Sequence, residues 1–316
     1  MLSRRLIRIK VLQIFYAWSR KEDSTIQQAE SELRTSLDRS YSLFFLILIL
    51  LFDLVDYAAE RIRLGREKKR PTWEDLHPNE RFIRNRLIRD LREHPEINKF
   101  IRDHSLGWED DSVVIKKLYA SLTAGEAYKK YMNASADNYR NDKKIIEHIL
   151  VDLLPSSPDL QALLEEQSIY WNDELELVLS ALLRFIDLFP GRQGRPITLP
   201  PKYKSPEDEE FAFRLLHESI LHHGEYAGLI ERYSRNWEVD RIARLDMLIL
   251  IQAITEILHF PEIPVRVSIN EYIDLARYYS TPNSGVFVNG LLDRIVADLR
   301  KENKIRKEGR GLIGEV

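Results

Sequence analysis

Apolar residues recur at helical spacing through most of the chain. In the first predicted helix, residues 4–18, four apolar side chains follow one another in steps of three or four, which places them on one helix face. These residues are Ile7, Val11, Ile14 and Trp18. A second series of such steps runs from residue 26 to residue 62 and predicts one helix of roughly 55 Å. Further helices are predicted over 112–134, 138–154 and 158–189. No alternating strand pattern competes, so the sequence predicts an all-α fold.

A linker separates these helices from the last third of the chain. Residues 190–206 hold five prolines and two glycines in seventeen positions, a composition typical of a module boundary. Ser205 and Pro206 then predict the N-cap and first position of a helix ending near residue 234. Another apolar helix is predicted from Asp240 to residue 258.

Two further helix starts are predicted near the carboxyl end. Ser268 and Glu271 have the spacing of a capping box, which predicts a helix from Ser268 to about residue 279. Asn283, in a Pro-Asn-Ser sequence, predicts the start of the last helix. Gly290 lies inside that helix and, because glycine costs about 1 kcal/mol there relative to alanine, it predicts a close helix–helix contact.

Composition excludes several classes of protein. The chain contains no cysteine, which excludes disulfides, thiolate metal sites and cysteine nucleophiles and fits a reducing compartment. The longest apolar run, residues 43–52, is shorter than the roughly 20 residues that a membrane span needs. We therefore expect that run to be a buried core helix, and the protein to be cytoplasmic without a membrane partner.

Basic charge is concentrated near the beginning of the chain. The overall net charge is −3, but residues 1–92 carry 19 basic and 13 acidic side chains. Arg4, Arg5 and Arg8 fall within a helix sector about 100° wide, where guanidinium groups could bind phosphates. Tyr16 flanks that sector and could stack on a base. The alternatives are a solvated basic face and a tyrosine that closes the edge of the core.

The residues give little sign of enzymatic chemistry. His217 and His222 are five positions apart, so on a helix they diverge by about 140° instead of sharing a face as zinc ligands at four-residue spacing do. No glycine-rich phosphate loop occurs, and the neighbouring pair Glu165 and Glu166 fits a solvated acidic face. We therefore expect no catalytic residue, no metal and no cofactor.

Two segments at opposite ends of the chain carry a family resemblance. The sequence RRLIRIKVLQIFYAW, residues 4–18, resembles the opening helix of the NusB family of bacterial transcription antitermination factors. The sequence IPVRVSINEYIDLA, residues 263–276, with SGVFVNG at 284–290, resembles the carboxyl-terminal signature of the family. Residues 236–242 and 245–246 are also similar to family sequences.

The resemblance implies a fold of two small helical bundles and a role without catalysis. It implies binding of a boxA-like single-stranded segment of nascent ribosomal RNA, together with the small-subunit ribosomal protein NusE, in the transcription elongation complex. Six residues match RNA-side positions: Arg4, Arg5, Arg8, Tyr16, Ser284 and Phe287. Asp246 and Asn283 match the protein-partner surface, although family members often carry an acid in place of Asn283 and an arginine in place of Ile251.

Length sets this chain apart from the family. Typical members have less than half of its 316 residues, so we expect a large insertion within the family fold. The predicted division has four parts: residues 1–22 as the first family helix, 23–200 as a long helix with an inserted helical region, 205–303 as the core family helices, and 304–316 as a flexible basic tail.

Two rival functions follow from the same features. The first is a helical protein-interaction scaffold that keeps the fold and has lost RNA binding. The second is an RNA methyltransferase, because a NusB-like domain also occurs fused to a methyltransferase module. The unmatched segment has neither a glycine-rich cofactor loop nor alternating strands and helices, which argues against the second rival.

Overall fold

The computed structural model describes residues 1–108, 112–171, 174–191, 197–234 and 243–313. Over these residues the all-α prediction is confirmed, since the β contacts amount to an isolated parallel bridge between Leu2 and Tyr203. The helices are α1 (Arg4–Ser19), α2 (Ile26–Arg66), α3 (Trp73–Leu76), α4 (Arg86–Glu93), α5 (Pro95–Asp103), α6 (Ser112–Ala124), α7 (Glu126–Met132), α8 (Tyr139–His148), α9 (Pro158–Gln167), α10 (Leu175–Ile186), α11 (Pro206–Leu221), α12 (His223–Tyr233), α13 (Arg244–His259), α14 (Val265–Tyr279) and α15 (Ser284–Lys301).

The chain forms two compact units. The central unit contains residues 38–202 together with Met1, and the terminal unit contains residues 2–37 and 203–316. Helix α2 is shared, because residues 26–37 belong to the terminal unit and residues 38–66 to the central one. The terminal unit is therefore assembled from both ends of the sequence.

Helix α2 supplies the core of the central unit. Its apolar run, residues 43–52, is buried as predicted. The helix is unbroken over 41 residues and is apolar enough to cross a membrane by length and composition, with an 18-residue window of mean hydropathy 2.2. However, 72% of that window is buried inside the protein, as in the core helix of a soluble protein.

Helix α13 is the centre of the terminal unit. It is packed against α1, α11, α12, α14 and α15, and every residue from Leu248 to Ile257 is buried. A helix that is surrounded in this way is expected to be apolar all round. The polar residues Gln252, Thr255 and Glu256 on α13 must therefore find partners inside the protein.

Several predicted helices are divided in the structure. The predicted helix over 112–134 is two helices, with Gly125 at the N-cap of the second. A π-helical turn, Ile149–Leu153, follows α8. The helix predicted to run to residue 234 is interrupted at His222, which ends α11 and precedes α12. The predicted start at Asp240 lies outside the described residues.

Two local predictions near the carboxyl end are wrong. Helix α14 begins three residues before Ser268, whose hydroxyl donates to Glu256 rather than capping the helix. Gly290 is exposed, and a Cβ added there would meet nothing within 4 Å. The close contact belongs to Gly285, where a Cβ would lie 2.6 Å from Cγ of Arg277.

The sequence predicts a flexible basic tail over residues 304–316. In the structure, the described part of this tail contacts the terminal unit. The ammonium group of Lys307 donates to the carbonyl of Phe260 at 2.9 Å, and the Glu308 amide donates to the carbonyl of Pro261 at 3.0 Å. A 3₁₀ turn, Gly309–Leu312, follows. Gly311 packs so closely on Pro261 that no side chain fits there.

Candidate nucleic-acid interface

Helix α1 presents the predicted basic residues from the terminal unit. The hydroxyl of Ser3 accepts a hydrogen bond from the Leu6 amide at 3.2 Å, which caps the helix N-terminus. The apolar face of α1 packs on α11 and α13. The three arginines of the first two turns therefore lie close to the helices that surround α1.

Arg8 is not part of an exposed cluster, and that element of the prediction is wrong. Its side chain is 4% exposed and forms two hydrogen bonds with the carboxylate of Glu256, both at 2.7 Å. Glu256 is fully buried on α13. Such a bidentate pair satisfies both ions where water is excluded, so Arg8 joins α1 to α13 instead of facing solvent.

The carboxylate of Glu256 also has two neutral donors from α14. Ser268 donates to it at 2.7 Å and the Tyr272 hydroxyl donates at 3.0 Å. Burial, reinforced by the Glu256 charge, raises the pKa of Tyr272 well above its usual value, so the phenol stays a donor. Burial opposes the charge of Arg8, but the attraction of Glu256 outweighs it and raises the pKa of Arg8.

Arg4 lies towards α11. Its Nε donates to Asp208 at 2.8 Å, and its guanidinium carbon lies 5.1 Å from the centre of the Phe211 ring. The cleft beside it is also lined by three acids, Glu207, Glu210 and Glu262, and by one further cation, Arg214. These acidic neighbours repel a phosphate, so the surroundings of Arg4 are less suited to RNA than the sequence suggested.

Arg5 lies on a different side, next to the end of α14. Its side chain is 44% exposed and donates to Asp274 at 3.2 Å. Arg277, whose side chain is 63% exposed, donates to the other oxygen of Asp274 at 3.4 Å. Tyr278 is 76% exposed, and the guanidinium carbon of Arg5 lies 5.8 Å from its ring centre. Two exposed cations therefore share one carboxylate, and an exposed aromatic ring lies beside one of them.

Arg277 links this group to the first turn of α15. Its side chain lies across Gly285, where an added Cβ would come within 3.1 Å of the Arg277 Nε. The preceding Asn283 is exposed and occupies the N-cap position of α15 without a side-chain cap bond. We call Arg5, Arg277, Tyr278 and the first turn of α15 the arginine–tyrosine surface.

Ser284 and Asp246, assigned by resemblance to opposite sides of the interface, meet in the interior. The hydroxyl of Ser284 donates to Oδ2 of Asp246 at 2.7 Å, and the two residues are 1% and 4% exposed. Because both side chains are buried, neither Ser284 nor Asp246 can contact RNA or a protein partner directly in this structure. Their bond fixes the start of α15 against the start of α13.

Tyr16 and Phe287 differ in exposure. Tyr16 is 40% exposed, and since it lies eleven residues after Arg5, about 20° away around the helix, it shares the Arg5 face three turns further along. Phe287 is partly buried. The matched residues 236–242 lie outside the described residues.

Two exposed residues of the arginine–tyrosine surface, Arg277 and Tyr278, were missed from the sequence. The available signal was their position directly after the matched segment 263–276, where a basic residue precedes two aromatic ones. Helical spacing gave no reason to select them, because it does not show that the end of α14 lies next to α1.

Among the described residues, one group brings potential metal ligands together. It consists of Glu218, His222 and His259, with one ligand atom of each within 4.8 Å of the others. In the sequence, His222 is instead compared with His217, five positions earlier. His217 contacts Glu30, at 2.9 Å, and is not in the group.

Comparison with known proteins identifies relatives of the terminal unit. The NusB family profile matches residues 195–297. The transcription antitermination protein NusB of Salinibacter ruber is 44% identical over 114 residues, which are 36% of this chain and 71% of that protein. Its namesake from Myxococcus xanthus is 41% identical over 98 residues, 31% of this chain and 70% of that protein. No solved structure matches the chain.

Proposed function

Because this chain belongs to the NusB family and is a transcription antitermination factor, we propose that its terminal unit binds a boxA-like, single-stranded segment of nascent ribosomal RNA. The observation that carries the proposal is the arginine–tyrosine surface. Its two exposed guanidinium groups suit phosphates, and its exposed ring suits an unstacked base.

Each part of the arginine–tyrosine surface has a distinct task in this proposal. Arg5 and Arg277 neutralise successive phosphates, with Asp274 holding the two side chains in place between them. Tyr278 stacks on a base, and Tyr16 offers a second ring on the same face of α1. The first turn of α15, at the positive end of the helix dipole, adds a phosphate contact.

The buried residues of the original assignment act in this proposal by positioning others. Arg8 holds α1 in place through Glu256, and Ser284 holds the first turn of α15 through Asp246. Arg4 is left at the margin, beside the acidic residues of α11. Arg8 and Ser284 are therefore needed for the shape of the arginine–tyrosine surface but do not contact RNA themselves.

The protein partner in this proposal is a small-subunit ribosomal protein of the NusE type, bound beside the RNA in the elongation complex. Asn283 is exposed and is a candidate contact with this partner. Asp246 is buried and acts indirectly, by binding the hydroxyl of the neighbouring Ser284. The chain works in the cytoplasm as a binding factor and is not itself an enzyme. The family relationship supports each of these points.

RNA binding tests the proposal directly. Fluorescence anisotropy with a labelled boxA-like RNA, repeated from low to high salt, is expected to give binding that weakens with salt. The Arg5→Ala/Arg277→Ala double variant is expected to bind more weakly and to lower the salt slope by about 1.4, since each phosphate contact on single strands contributes about 0.7.

A charge-matched control separates this surface from general attraction. Arg61 and Arg232 are exposed, on α2 and α12, and are not among the residues that define the arginine–tyrosine surface. Arg61→Ala/Arg232→Ala removes the same two charges and is expected to leave the slope unchanged. Equal losses in the two double variants would contradict the site. Absence of RNA binding by the wild-type chain would favour the scaffold function.

A further inference from the structure

Helices α11, α12 and α13 meet at a cluster of two imidazoles and one carboxylate. Glu218 and His222 are four residues apart, so they lie on the same side of the helix. His259 is the last residue of α13 and faces them from the neighbouring helix. We propose that Glu218, His222 and His259 form a binding site for a divalent transition metal, most suitably Zn²⁺.

The distances within the cluster suit a shared ion. Oε2 of Glu218 lies 3.4 Å from Nε2 of His222 and 3.5 Å from Nδ1 of His259. Both separations exceed a good hydrogen bond. Tetrahedral zinc with bonds of 2.0–2.1 Å places its ligand atoms about 3.3–3.4 Å apart. The ligand nitrogens of His222 and His259 lie within 4.8 Å of each other. We expect this distance to shorten when an ion binds both rings.

Each imidazole has a partner on its other nitrogen. Nδ1 of His222 lies 3.0 Å from Oε2 of Glu225, and Nε2 of His259 lies 2.8 Å from the hydroxyl of Tyr226. Outer partners of this kind fix the ring orientation and tautomer of metal-binding histidines. The nitrogens left over are the two that face Glu218.

Charge and exposure are compatible with loading from solution. The three side chains are between 22% and 29% exposed, which leaves a path for an ion and room for water as a fourth ligand. The carboxylate of Glu218 offsets part of the charge of a divalent ion.

The chemistry of the ligands selects among ions. Two imidazoles and one carboxylate suit borderline first-row metals and not Ca²⁺ or Mg²⁺, which prefer all-oxygen sites. Because the ligands come from the end of α11 and the end of α13, a bound ion would hold the turn at His222 against the end of α13. The site thus adds a metal-dependent link to the terminal unit that RNA binding does not require.

Titration of the untagged full-length chain with Zn²⁺, followed by calorimetry, tests the site. The expected result is one ion per chain, a raised thermal unfolding midpoint, and visible absorption typical of tetrahedral Co²⁺ when that ion replaces zinc. His222→Asn and His259→Asn are each expected to lose more affinity than the about 10–100-fold predicted for Tyr226→Phe, which removes only an outer partner.

His217→Asn is the matched control, because His217 lies on the same helix and outside the cluster. It is expected to bind zinc as the wild type does. The proposal is overturned if wild-type protein binds no zinc, if His222→Asn binds it unchanged, or if His217→Asn loses it equally. Circular dichroism of each variant without metal confirms that the helices are intact, so a loss of binding is a loss of ligands.

Discussion

The ion pair between Arg8 and Glu256 positions α1 from inside the protein. Both side chains are almost completely buried, and four hydrogen bonds converge on the Glu256 carboxylate. A buried charge is tolerated only while its partners are present, because water cannot replace them. The same residue type on one helix turn thus has different roles: Arg8 supports the fold, whereas Arg5 reaches solvent.

Removing one member of this pair is expected to destabilise the protein strongly. Arg8→Met should lower the free energy of unfolding by about 3–5 kcal/mol, because it leaves the Glu256 charge buried and uncompensated. The Arg8→Met/Glu256→Met double variant should lose clearly less than the sum of the two single variants. Urea denaturation measures both quantities, and strict additivity would show that the two charges do not interact.

Gly285 provides a second test at residue scale. Gly285→Ala places a Cβ 2.6 Å from Cγ of Arg277 and must displace that side chain. We expect RNA affinity to fall about tenfold, which corresponds to about 1.4 kcal/mol, in the same anisotropy assay. Gly290→Ala is the control, because its Cβ meets nothing within 4 Å. It should strengthen the helix by up to about 1 kcal/mol without changing RNA binding.

At the scale of elements, α2 combines a long apolar core helix with an ionisable group in its middle. Asp53 interrupts the apolar run, and burial, reinforced by Asp56 and opposed by Arg92, raises its pKa from 3.8 to about 6. A carboxyl group with a raised pKa in the folded state favours folding while protonated. Its ionisation therefore becomes a cost to stability as pH rises from 3.8 through 6.

Asp53→Asn is expected to remove that cost. The thermal midpoint of the variant should match that of wild type near pH 4 and exceed it above pH 6, because asparagine does not ionise. Thermal melts of both proteins from pH 4 to pH 8 test the sign. A gap that is constant over the whole range would show that Asp53 titrates with an ordinary pKa.

Apolar periodicity predicted best the helices with a long, uninterrupted apolar pattern. Helices α1 and α2 start and end within a few residues of their predicted limits, because packing and spacing agree along their whole length. The break at His222 was missed because the apolar pattern continues through it, although Gly224 lies two residues further on. Ser268 was misread because its hydroxyl bonds to Glu256, a residue on another helix.

The same limit applied to the candidate site. Sequence identified α1 and the start of α15 as its elements, but treated neighbouring arginines as one cluster. Three acids on three different helices, Asp208, Glu256 and Asp274, decide where those arginines point. Such pairings depend on tertiary packing, which helical spacing does not encode.

At the scale of the whole molecule, the terminal unit is discontinuous in sequence. Residues 2–37 and 203–316 form one compact unit, and residues 38–202 form another with its own apolar core. The boundary between the two units falls within α2, so a single helix belongs to both. We propose that the central unit is the insertion predicted from the sequence; the features proposed for RNA binding all lie in the terminal unit.

Ultraviolet cross-linking of a boxA-like RNA to the full-length chain, followed by mass spectrometry of the attached peptides, locates the RNA on the protein. We expect cross-links to peptides of the terminal unit that contain Tyr278 or Tyr16, and their loss in the Arg5→Ala/Arg277→Ala variant. Cross-links confined to residues 38–202 would contradict RNA binding at the arginine–tyrosine surface.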